Sequence, residues 1–113
     1  MPKYDLIDLG FSTADGNRLD WQFLGGNIRF SFVDWREQPV QFSTLDVRAF
    51  SWLEFQDIPG IRDDVTYEVL ESDLIQRYFD CNLMLPKEGY RHFKLCFNEA
   101  GVIDVVCRAI AVG

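Results

Sequence analysis

The sequence predicts a mainly β fold: a single-domain antiparallel β-sandwich, or a partly closed barrel, built from meander hairpins with one short helix near residues 72–79. Three observations carry that expectation. Apolar and polar residues alternate through most of the chain, glycine-bearing turns punctuate the alternation, and single registers bring apolar positions opposite one another. A chain of 113 residues, 48% hydrophobic and 15% aromatic, is long enough for one core without metal or disulfide support.

The elements follow in order. Ile7, Leu9 and Phe11 alternate, as do Leu19, Trp21 and Phe23, with Asp15-Gly16 between them. A hairpin with the loop Ala14-Asp15-Gly16 and a left-handed Gly16 sets Phe11 against Leu19, Leu9 against Trp21 and Ile7 against Phe23. Gly25-Gly26 then makes a two-residue turn that pairs Phe23 with Ile28, Trp21 with Phe30 and Leu19 with Phe32, leaving Gln22 with Arg29 and Asp20 with Ser31 on a wet face.

After the loop Arg36-Glu37-Gln38-Pro39, an extended stretch runs from Val40 to Phe55. Its alternation changes phase between Phe42 and Leu45, the mark of a bulge or of a bend from one sheet to another. Both faces are apolar around Ala49–Phe55, which predicts a central strand covered on both sides. Pro59-Gly60 and its aspartates form a surface loop, and Val65 to Leu70 form a strand. Ser72-Asp73 caps the short helix. Leu83-Met84-Leu85 reads as a short strand closed by Pro86-Lys87-Glu88-Gly89. In the last hairpin a loop Glu99-Ala100-Gly101 sets Phe97 against Ile103, Leu95 against Val105 and Phe93 against Cys107, so Cys96 and Cys107 fall on opposite faces.

Charge narrows the function. The net charge of −7 opposes binding to nucleic acid or an anionic membrane, and residues 56–80 concentrate it, with seven acidic and two basic side chains. The amino-terminal Met1-Pro2-Lys3-Tyr4-Asp5 lacks the basic region and apolar run of a secretory signal, and three cysteines without CxxC spacing suit reduced thiols. Both point to the cytoplasm.

Few residues invite chemistry. His92 is the sole histidine, which excludes multi-histidine metal sites. With Lys94 and Arg108 on its face, and Arg91 and Lys87 near, it forms a basic patch suited to an anion, yet no carboxylate is placed to orient it as a base. Asp57, Asp63 and Asp64 surround Pro59-Gly60 without the spacing of a calcium loop. Trp35 is out of phase with its strand, beside a loop, as an exposed binding residue would be. No phosphate cradle, metal or cofactor is expected.

The expected function is a noncatalytic intracellular protein-binding domain with an acidic surface, an antagonist of a basic partner, using Trp35, Asp57, Asp63, Asp64, His92, Lys94 and Arg108. The alternative is a small-ligand domain with an aromatic pocket and a basic mouth. Homodimerisation through an edge strand, at Leu83–Leu85 or Ala109–Val112, is compatible with both.

Overall fold

Two antiparallel sheets stack into a sandwich, with β1 (Lys3–Leu6), β6 (Thr66–Leu70), β7 (Arg91–Phe97), β8 (Gly101–Cys107) and β5 (Ala49–Leu53) side by side in one. The other holds β2 (Asn17–Leu24), β3 (Asn27–Val33), β4 (Pro39–Leu45) and β9 (Ala109–Val112) in that order. The one α-helix among the described residues, α1, is Asp73–Asp80. The structure, a computed structural model, describes residues 3–56, 58–83 and 88–113; the expectations for Asp57, Met84, Leu85 and Lys87 lie outside the described residues.

The sheets enclose Phe30, Phe42, Phe93, Leu95, Phe97, Ile103 and Val105. Phe42 stacks between Phe30 and Phe11, each at 4.8 Å between ring centroids. Each such side chain, fully buried, contributes about 1.5–3 kcal/mol. The β2–β3–β4 meander keeps the expected register, with Phe23 opposite Ile28, Trp21 opposite Phe30, Gln22 opposite Arg29 and Asp20 opposite Ser31. Gly25 supplies the turn's positive φ of 64°. Leu19 does not sit in a simple pair with Phe32, because the register shifts between Asn17 and Asp20, where Arg18 adopts φ 54°.

The first expected hairpin does not form. Residues Ile7, Leu9 and Phe11 follow β1 as irregular chain and pack against the common core, with Phe11 meeting Phe32 and Phe42, while β1 pairs with β6. Their alternation records one buried side, which a chain crossing between sheets satisfies as well as a strand does. Asp15 takes the positive φ of that loop; Gly16 is small for another reason, since a Cβ there would lie 3.1 Å from the rings of Phe32 and Phe97.

The phase change after Phe42 marks a passage between sheets. Asp46 turns at φ 56° between β4 and β5, and Arg108 makes the return passage from β8 to β9. The two corners are tied by Arg108 N–H to the Leu45 carbonyl (2.9 Å), Arg48 N–H to the Val106 carbonyl (2.8 Å) and an Arg108–Asp46 ion pair (2.9 Å). Beyond the corner β5 is an edge strand with Trp52 and Leu53 exposed, not the central strand expected. The strands covered on both faces are β7, buried at every position after Arg91, and β8, buried at every position but Asp104.

The last hairpin keeps a three-residue loop but moves it back by one residue, to Asn98-Glu99-Ala100, so every partner shifts by two: Phe97 faces Gly101, Leu95 faces Ile103, Phe93 faces Val105 and Arg91 faces Cys107. Gly101, at φ 107°, opens the strand instead of closing the loop, and a Cβ on it would lie 2.5 Å from Trp52 Nε1. A shift of two preserves side-chain faces, so Cys96 and Cys107 remain on opposite sides, in separate clusters.

α1 begins where expected: Ser72 Oγ accepts the Ile75 N–H at 3.2 Å. Eight residues hold as helix because Leu74, Ile75, Tyr78 and Phe79 pack on Tyr90 and Val106. The outer face of the larger sheet is thereby covered at one end by α1 and at the other by Ile61 and Val65 on Tyr67, Cys96 and Val102.

Candidate functional site

Between these covers runs a row of polar side chains. β7 sends His92 and Lys94 to the outer face, and β8 sends Asp104 there directly opposite Lys94. Ser72 Oγ lies 2.7 Å from His92 Nδ1, His92 Nε2 lies 2.7 Å from Asp104 Oδ1, and Lys94 Nζ donates to Asp104 Oδ2 at 2.9 Å and to Gln56 Oε1. Burial pushes the Asp104 carboxyl up, but the hydrogen bonds from His92 and Lys94 outweigh it and hold the group below the ordinary carboxylate range. An ionised carboxylate only accepts, so hydrogen-bonding logic assigns the Nε2 proton to the bond with Asp104 and leaves Nδ1 to accept from the Ser72 hydroxyl.

Serine, histidine and aspartate in a chain are the residue types of a nucleophilic triad, and their setting here favours positioning over attack. Ser72 is buried and its oxygen already caps α1. The cleft beside it, about 480 Å³, is lined by Glu68, Glu71 and Asp73 together with Arg91, whose guanidinium is turned to Glu68 and not to Ser72. Burial also pushes the Cys96 thiol up to about 11, against the attraction of Lys94, so it is protonated at neutral pH.

The row instead anchors a surface. Lys94 grips Gln56, and the Tyr67 hydroxyl accepts the Arg62 N–H at 2.8 Å, so buried groups hold the chain at Gln56 and at Arg62. The Arg62 guanidinium meets Asp64 through two contacts of 3.0 Å, fixing that carboxylate, and Asp63 is exposed beside it. Phe55, 75% exposed, stands at the other end. An open cleft of about 370 Å³ separates them, floored by Cys96 and Val102.

The expected basic patch is dissolved. His92 and Lys94 do come together, but buried and against Asp104, because helix and loop cover that face. The carboxylate thought missing from His92 is Asp104. Arg108 belongs to the corner with Asp46. Trp35 is exposed, in the β3–β4 loop of the smaller sheet, with the Arg36 guanidinium 5.7 Å from its ring centre. Asp63 and Asp64 share the acidic loop. Sequence reasoning missed Asp104, Ser72 and Gln56; placing the three-residue loop one residue earlier would have found the first, since that register sets Lys94 against Asp104.

Comparison with family models, curated proteins and solved structures finds no match. The site's own chemistry carries the functional reading. Among the described residues no three or more His, Cys, Asp or Glu side chains are grouped to hold a metal ion, and no helix is long and apolar enough to cross a membrane.

Proposed function

We propose that this chain is a noncatalytic protein-binding domain of the cytoplasm, an antagonist that docks a basic partner on the loop of residues 54–65. The observation that carries this reading is the anchored loop: Asp63, Asp64 and exposed Phe55 stand on a segment held from beneath by Lys94 and Tyr67. Preorganised carboxylates beside an exposed aromatic supply orientation and a hot spot together. Besides Lys94, five of the eleven lysines and arginines are turned to the chain's own carboxylates, Lys3 to Glu71, Arg36 to Asp34, Arg62 to Asp64, Arg91 to Glu68 and Arg108 to Asp46, and the chain carries a net charge of −7. Opposed fields of that kind speed association with a basic protein.

The small-ligand alternative has weaker support, because aromatic side chains fill the space between the sheets and the basic mouth it required is buried or paired. Native mass spectrometry of the protein purified gently from its own cells tests the proposal. A stoichiometric basic protein, lost on Asp63→Lys with Asp64→Lys, supports it; a bound small molecule, or a partner indifferent to both reversals, overturns it.

A further inference from the structure

The four sheet edges are not alike. β1 and β9 are four residues long, β1 opens on Lys3, and β2 is broken by the shift at Arg18. Such features blunt an edge against pairing. β5 has none of them: it runs in unbroken register beside β8 and contains no lysine, proline or bulge. Ser51, Trp52 and Leu53 are exposed along it, and Trp21 and Phe23 of the facing sheet lie against Phe50 and Trp52 at centroid separations of 5.3–6.3 Å.

The segment Arg48-Ala49-Phe50-Ser51-Trp52-Leu53-Glu54 is chemically symmetric about Ser51. Laid antiparallel on a second copy with Ser51 at the two-fold axis, Arg48 meets Glu54, Ala49 meets Leu53 and Phe50 meets Trp52, each pair formed twice. Neighbouring registers of the same facing lose this match. Sliding two residues one way puts Trp52 opposite Arg48 and leaves Glu54 beyond the partner's strand, and sliding the other way puts Phe50 opposite Glu54. Arg48 is exposed at the strand end, where its Nε donates to the Tyr90 hydroxyl at 2.8 Å and its guanidinium lies 5.0 Å from that ring centre.

We propose that the free edge of β5 pairs with the β5 edge of a second copy of this chain, in the antiparallel register centred on Ser51. The larger sheets of two copies then become continuous, and Phe50 and Trp52 of each extend the aromatic row begun by Trp21 and Phe23. This proposal is independent of the partner reading above, since it concerns oligomeric state alone.

Sedimentation of the full chain across a concentration series tests it. The expected species has twice the 13.2 kDa chain mass. Glu54→Arg and Arg48→Glu should each weaken the dimer about tenfold, since each turns two attractive pairs into repulsive ones. An equimolar mixture of the two variants should recover it as a heterodimer, with both cross-pairs attractive again. Because Arg48→Glu also disturbs Tyr90, Ser51→Cys in a Cys81→Ser background gives a second measurement: the two positions meet across the axis and should cross-link under mild oxidation. A monomer at millimolar concentration, a dimer indifferent to both charge reversals, or the absence of both mixture recovery and cross-linking overturns the proposal.

Discussion

Lys94 and Asp104 face each other across the β7–β8 ladder, with Lys94 Nζ 2.9 Å from Asp104 Oδ2 and only 4% of the lysine side chain exposed. A cation so buried depends on its counter-charge. Asp104→Asn strands it and should cost about 3–5 kcal/mol. Lys94→Met together with Asp104→Asn should cost less than the two single changes added, because the stranded charge is gone. A double-mutant cycle in urea checks both statements; additivity would show that the pair is not coupled.

The same carboxylate makes stability depend on pH. Its folded pKa is depressed, so between the folded and unfolded values the unfolded chain binds more protons, and stability rises with pH through that window. The contribution is fully present above the ordinary aspartate range and is lost as pH falls through the folded value. Glu68, lowered chiefly by its hydrogen bond from Arg91, acts in the same direction. Urea midpoints followed from neutral pH into acid should fall more steeply for the native chain than for Asp104→Asn.

The parts of this arrangement visible in sequence are those that neighbouring residues enforce. Gly25-Gly26 admits one short turn, and Ser72 before Leu74 and Ile75 announces a cap. The phase change after Phe42 correctly signalled a passage between sheets. What failed depended on partners distant in sequence. Ile7, Leu9 and Phe11 alternate identically whether their neighbours come from one strand or from two sheets. Phe97 has an apolar partner in the expected hairpin register and only Gly101 in the true one, so local pairing favoured the wrong choice. That two-residue difference concealed the contact between Lys94 and Asp104. The basic patch expected around His92 failed because α1 and the acidic loop cover that face, a tertiary event no strand pattern encodes.

Cysteine reactivity should divide by position. Cys81 is exposed, whereas burial pushes Cys96 up to about 11 and Cys107 up to about 12. A thiol reagent at neutral pH should modify Cys81 rapidly and reach Cys96 and Cys107 only as the chain opens, so denaturant converts one fast thiol into three. Equal rates for all three in the native protein would contradict the covered faces of β7 and β8.

Gly101→Ala should destabilise the larger sheet beyond the cost of its positive φ. A methyl there meets Trp52 Nε1 at 2.5 Å and the Leu53 carbonyl at 2.6 Å, while that indole donates to the Ala100 carbonyl at 2.8 Å. Trp52 cannot retain both its place and its hydrogen bond. The backbone conformation alone costs about 1 kcal/mol, and the displaced tryptophan should raise the loss to about 2 kcal/mol or more. A lowered Tm with altered tryptophan emission is the expected outcome; emission unchanged would place the cost in the backbone alone.

Thr13 offers the opposite sign. It is 2% exposed, and its hydroxyl is buried without a hydrogen-bond partner. Thr13→Val keeps the shape and removes a desolvated polar group that returns nothing. The chain should gain about 1 kcal/mol, read as a higher urea midpoint at unchanged m-value. The gain should be independent of pH, since no ionisable group is involved, which separates it from every change made along the row from Ser72 to Lys94. Destabilisation would instead mean that the hydroxyl is satisfied in solution, by a water reaching it through the cleft of about 290 Å³ that Thr13 shares with Asp8 and Asp64.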